Sequence, residues 1–97
     1  MIGKSKKTNK VLISHDELTV MIFAYRYGVE RLTYAPCLVC DYIIANMPRM
    51  TSIQRDMVYQ EVCQTLEYKW YADDIAKEAV EKLQHALQKA GGGYNQR

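Results

Sequence analysis

Residues 18–36 read LTVMIFAYRYGVERLTYAP. Leu18, Met21, Ile22 and Tyr25 recur at steps of three and four, the period of one face of an α-helix. Val20, Phe23, Ala24 and Tyr27 widen that face until the run is apolar almost all round. Such a pattern is expected of a helix at the centre of a domain. The apolar run 20–24 is far shorter than the roughly 20 residues a membrane span needs.

Punctuation on both sides sets the limits of this helix. Ser14 and Glu17 form a capping-box pattern, in which each side chain bonds the other's backbone amide. Asp16 and Glu17 also sit where the helix dipole favours negative charge. Ile13 precedes the cap and can staple against Leu18. Gly28 suits the left-handed position that ends a helix, so the first helix is expected over 15–27. Pro36 is well placed to open a second. That helix is expected over 36–46, stopping before Pro48, with Leu38, Val39, Tyr42 and Ile43 on its inner face. Thr51 and Gln54 give another capping box. The third helix then covers 52–68, with Ile53, Met57, Val58, Val62, Leu66 and Trp70 as its apolar positions. Asp73 or Asp74 caps a fourth over 74–89. Its expected core side is Ile75, Ala79, Leu83, Ala86 and Leu87, and Glu78–Lys82 is a favourable i,i+4 pair outside. The fold class is therefore all-α, a small four-helix bundle or orthogonal helical array.

The chain has 97 residues, one small domain. Its expected organisation is a basic, flexible arm over 1–13, a single helical domain over 14–90, and a flexible, Gly-rich tail over 91–97. Residues 1–13 carry Lys4, Lys6, Lys7 and Lys10 and no acid. Residues 14–50 hold three basic against four acidic side chains, and residues 51–90 five against seven. The body is mildly acidic, which disfavours a broad phosphate-binding surface. Three Cys, an odd number, and no apolar signal core after the first lysines point to a reducing compartment. The expected location is the cytoplasm, with no membrane partner.

No catalytic constellation, phosphate loop or complete metal motif stands in the sequence, so an enzyme and a cofactor are not expected. Cys37-Leu38-Val39-Cys40 is a CxxC at a helix start, where the dipole can lower a thiol pKa. Redox use of that pair normally needs a strand-to-helix junction, and a helical chain has none. A zinc site would have to recruit Cys63 with His15 or His85, without a second tight ligand pair. His15 and His85 fall on polar surfaces. Asp73 and Asp74 are accounted for by capping. Tyr occurs eight times, against one Phe and one Trp, and Tyr suits half-buried and interfacial positions.

The remaining candidates bind rather than react. Arg26 lies inside the aromatic run and is expected to pack its stem among the rings. Arg31 can hold the end of the first helix or pair with Asp41. Tyr27, Glu30, Arg31, Arg49 and Arg55 are the candidate partner-binding residues, since Tyr and Arg dominate protein–protein hot spots. A second reading is nucleic-acid binding through Lys4, Lys6, Lys7 and Lys10 with the Arg49/Arg55 corner before the third helix. Against it, that helix continues into Asp56, Glu61 and Glu67, more acids than a recognition helix carries. Homodimerisation is compatible with the protein-binding reading, because four short helices can leave one apolar face uncovered.

Arg26, Tyr27, Arg31, Thr33 and Tyr34 spell R-Y-x-x-x-R-x-T-Y, followed by the apolar run of residues 38–44. This segment resembles a pattern in small uncharacterised proteins encoded by bacteriophages and prophages. The resemblance implies a phage-type accessory protein in the bacterial cytoplasm that binds a host or phage protein stoichiometrically. Inhibition of a host defence protein is within that implication; no activity comes with it.

Overall fold

Ser14 starts the first helix in the way its sequence predicts. Its Oγ accepts the Glu17 amide at 3.0 Å, and Glu17 Oε1 accepts the Ser14 amide at 3.3 Å. In the computed structural model, which describes residues 11–31 and 35–90, four helices follow: α1 (His15–Arg31), α2 (Ala35–Asn46), α3 (Ser52–Tyr68) and α4 (Asp74–Lys89). A single 3₁₀ turn, Met47–Arg49, joins α2 to α3 around Pro48. Among the described residues there is no strand, and the all-α class stands. Lys4, Lys6, Lys7 and Lys10, Thr33 and Tyr34 of the phage-like segment, and the 91–97 tail lie outside the described residues.

The starts of α3 and α4 also follow their capping residues. Thr51 and Gln54 close their box at 2.9 and 3.1 Å, and Asp73 Oδ1 accepts the Ala76 amide at 2.9 Å. Helix α3 stops at Lys69, which takes the left-handed conformation at φ 57°. The Trp70 amide then closes back onto Thr65 O at 2.9 Å, satisfying one carbonyl of the last turn. The break between α3 and α4 is thereby fixed.

Two boundaries differ: α2 starts at Ala35, one residue before Pro36, and α1 ends later than expected. Gly28 does not end α1; it is buried inside the helix, which runs on to Arg31. A glycine in a helix interior costs roughly 1 kcal/mol relative to alanine. Tertiary contacts beyond it outweigh that cost: Val29 is buried, and its carbonyl accepts the Ala72 amide at 2.8 Å.

The centre of the molecule also differs from the expectation that α1 is the axis. Helix α4 occupies that place, packing most extensively on α2, then on α3, and also reaching α1. Its buried stripe is Ala76, Ala79, Val80, Leu83 and Leu87. Relative to the expected face it is rotated, taking in Ala76 and Val80 and leaving Ile75 exposed. Alanines at two stripe positions let the facing helices come close, since interaxial distance follows the side chains at the contact. Helix α1 lies at the edge, mainly against α2. It buries Leu18, Met21, Tyr25, Gly28 and Val29, while Val20, Phe23 and Tyr27 stay exposed. Leu38 and Tyr42 on α2 and Ile53, Met57 and Trp70 around α3 are likewise exposed rather than internal. In α1, α2 and α3 the period is helical, but apolar residues outside the buried stripe find no neighbour.

Two ties hold Ile13 to the α2–α3 corner. Ile13 is buried in the same core as Leu18; its amide donates to Arg49 O at 2.8 Å, and its carbonyl accepts Gln54 Nε2 at 2.8 Å. The last residue of the expected arm is therefore part of the domain. Replacing Leu83 by Ala should cost about 2–5 kcal/mol, the range for a buried leucine. Phe23→Ala should change stability by less than about 0.5 kcal/mol, as for surface positions. Urea unfolding of the two variants at a few micromolar protein checks that α4, and not α1, is the central helix.

Candidate functional site: an apolar face on α1 and α2

Helices α1 and α2 pack side by side and leave a groove of about 600 Å³ between them. Buried Met21 and Ile43 form its floor, with half-buried Val39 beside them. Val20, Leu38 and Tyr42 stand on its rim, 65, 73 and 55% exposed. Ser14, Asp16 and Glu17 also line it and bring two carboxylates. Next to the groove, Phe23, Ala24 and Tyr27 carry the apolar surface along the outside of α1. Scattered exposed apolar residues are ordinary, but a contiguous patch of this kind marks an interaction surface.

The charged candidates are distributed unevenly. Tyr27, Glu30 and Arg31 are exposed at the end of α1, and the Arg31 guanidinium carbon lies 5.5 Å from the Tyr27 ring centre. That is within cation–π range. Asp41, an alternative partner for Arg31, instead pairs with Lys82 at 3.0 Å. Arg49 is turned inward: Nε donates to Val11 O at 2.8 Å, Nη1 donates to Asn46 Oδ1 at 2.9 Å, and Nη2 lies 3.5 Å from Glu17. Arg55 Nη1 donates to Met50 O at 2.7 Å, and its Nε is buried. These two arginines hold the corner between α2 and α3 and are not gathered with the α1 candidates.

Arg26 is not packed among rings. It forks onto Glu61 of α3, Nη2 donating to Oε1 at 2.9 Å and Nε to Oε2. The hydrogen bond to Glu61 raises the guanidinium pKa further. One turn along α3, Thr65 Oγ1 donates to Glu61 O at 2.9 Å and accepts the Tyr25 hydroxyl at 2.9 Å. Tyr25 is buried, and burial pushes its pKa well above the usual phenol value. This chain of bonds clamps α1 to α3 and keeps the outer side of α1 turned to solvent.

The thiols are separated by environment. Cys37 is exposed, Cys63 half-buried and accepting from Gln84 Nε2 at 3.7 Å, and Cys40 buried. Burial, aided by the nearby Cys37 and Asp41, pushes the Cys40 thiol up to about 12. A thiol held protonated is a poor nucleophile. His15 and His85 are exposed. Among the described residues no group of three or more His, Cys, Asp or Glu side chains could hold a metal ion, and no helix is long and apolar enough to cross a membrane.

The apolar rim was missed in the sequence because Val20, Phe23, Leu38 and Tyr42 read as core. The signal that could have found it was present. Helix α1 carries two opposed apolar faces, and a helix at the edge of a four-helix domain can bury only one. Comparison with known proteins finds no matching family model, no matching curated protein and no matching solved structure.

The buried acids set a pH dependence. Cys40 and Tyr25 both hold their protons more tightly folded than unfolded. Their contribution to stability is complete below an unfolded thiol pKa of about 8.5 and is lost as pH rises through the folded values. Urea midpoints should therefore fall between pH 8 and pH 11. Cys40→Ala should flatten that fall, leaving the part above about pH 10 that belongs to Tyr25.

Proposed function

We propose that this protein acts without chemistry of its own, as a small helical binding protein of phage type that engages a host or phage protein. The observation that carries the reading is the apolar face of α1 and α2, with Leu38 and Tyr42 standing over Met21, Val39 and Ile43. The groove lies open between two helices and carries Asp16 and Glu17 in its lining. These features suit an amphipathic helix of the partner, laid apolar side down with a basic residue facing these carboxylates. Tyr42 is its natural anchor, since Tyr is enriched among hot spots, and Leu38 adds exposed apolar surface beside it. Location in the bacterial cytoplasm and inhibition of a defence protein belong to the same proposal. They rest on the R-Y-x-x-x-R-x-T-Y resemblance.

Binding through this groove makes a simple demand on two exposed positions. Leu38→Asp and Tyr42→Ala should each weaken capture of a stoichiometric partner from bacterial lysate by at least about tenfold, the loss of one hot-spot anchor. Both should leave the thermal melt within a few degrees of the parent. Ile53→Asp, equally exposed but on α3, should leave capture unchanged. Equal loss in all three variants, or undiminished capture by the Leu38 and Tyr42 variants, would remove the groove from consideration.

A further inference from the structure

The outward side of α1 has a symmetry of its own. Asp16, Val20, Phe23, Ala24, Tyr27 and Arg31 are all exposed. At 3.6 residues per turn their spacing puts them on one face of the helix, an arc of about 100° with Phe23 and Ala24 at its two edges, opposite the buried Leu18, Met21, Tyr25 and Val29. The face is apolar through its middle and charged at its ends, negative at the first turn and positive at the last. Its midpoint falls between Phe23 and Ala24.

We propose that this stripe is the interface of a two-fold homodimer in which α1 packs antiparallel on α1 of a second copy. A two-fold axis through the midpoint gathers Phe23 and Ala24 of both copies around it, Phe23 beside the partner's Phe23 along one edge and Ala24 beside the partner's Ala24 along the other. It sets Val20 against the partner's Tyr27, a contact that occurs twice, as an isologous interface requires. Asp16 meets the partner's Arg31 at both ends. The parallel alternative would bring the acidic ends together and the basic ends together. Glu17, which this register brings near the partner's Glu30, is already turned to its own Ser14 amide and to Arg49. Arg31 already lies over the Tyr27 ring, so its guanidinium is on the stripe side of the helix.

The area matches a weak, reversible dimer. Phe23 and Tyr27 are 62 and 58% exposed and Val20 65%. With aromatic side chains of ~200 Å², the stripe with Ala24 presents roughly 400 Å² per copy. The charged edges bring the two-copy total to about 1,000 Å², the low end for specific association. Association at the weak, reversible end is expected for an interface of this size. The inference does not depend on the binding reading above. The dimer takes Val20 and Asp16 from the outer rim of the groove and leaves Leu38, Val39 and Tyr42 open.

Sedimentation equilibrium of the full chain under reducing conditions, from 5 to about 500 µM, tests the proposal across the affinity range expected for an interface of this size. Reversible monomer–dimer behaviour is expected, weakened at least about tenfold by Phe23→Asp and by Ala24→Glu, each a charge placed in the apolar middle. Melts at low concentration confirm that both variants are folded. The register has its own test. Asp16→Arg and Arg31→Asp alone should each weaken the dimer about threefold to tenfold, through like charges at both ends. The two together should restore it to within about threefold of the parent, because the ion pairs are re-formed with reversed sign. A protein that stays monomeric throughout overturns the proposal. So does a dimer indifferent to both charges in the middle of the stripe, or a double variant no tighter than the single ones.

Discussion

Burial of the α4 stripe is the interaction on which the other three helices depend. Val80, Leu83 and Leu87 have no solvent-exposed surface at all, and burying side chains of this size stabilises the fold by about 1.5–3 kcal/mol each. Helices α2 and α3 pack chiefly against this stripe. The place of α1 is a consequence. With the central position taken, α1 is left at the edge and buries only the side that meets its neighbours. Its other side is just as apolar and meets solvent, so the exposed face follows from the competition between two apolar helices for one central position.

The polar contacts reinforce this arrangement. Tyr25, Thr65, Glu61 and Arg26 form one connected chain between α1 and α3. Its buried part satisfies the tyrosine hydroxyl, which would otherwise cost on the order of 1–3 kcal/mol as an unpaired polar group. Its exposed part is a bidentate ion pair that fixes the rotation of α1 about its own axis. Arg49 and Gln54 do the equivalent work at the other end, tying residues 11–13 to the α2–α3 corner. Three of the arginines, Arg26, Arg49 and Arg55, are thus engaged in holding the fold. What α1 turns outward is an apolar stripe with Asp16 at one end and Arg31 at the other.

Local signals in the sequence were legible because they rest on backbone groups a few residues apart. The Ser14–Glu17 and Thr51–Gln54 boxes, the Asp73 cap and the stop before Pro48 all appear as their residues imply. Gly28 failed as a stop signal because the Val29–Ala72 contact, 43 positions apart in the sequence, decides that boundary. Periodicity identified the apolar faces but could not rank them. Ile75 and Val80 fit a helical pattern equally well, and which of them is covered depends on how α4 is rotated against α2. The same limit hid the candidate surface. Val20, Phe23, Leu38 and Tyr42 have the composition of core residues, and exposure is a property of the neighbour they lack. Tyr27 and Arg31, chosen for residue type, do lie on that surface; Arg49 and Arg55, chosen on the same ground, are turned to the interior of a corner.

The composition of the α1 stripe argues against its being filler. On a solvent-facing helix position, stability alone favours Ala, Glu, Lys or Gln, and Val and Phe are poorer helix formers by a few tenths of a kcal/mol each. Phe23 gains little from the hydrophobic effect in the monomer, because most of its surface stays in water. Val20, Phe23 and Tyr27 therefore contribute little to the isolated fold and add an exposed apolar patch. That balance changes sign only when something covers them. In the antiparallel dimer we propose, a second copy of the same helix would supply a cover of matching length and opposite charge at each end. The clamp formed by Arg26 and Tyr25 on the far side of α1 holds the stripe in place to meet it.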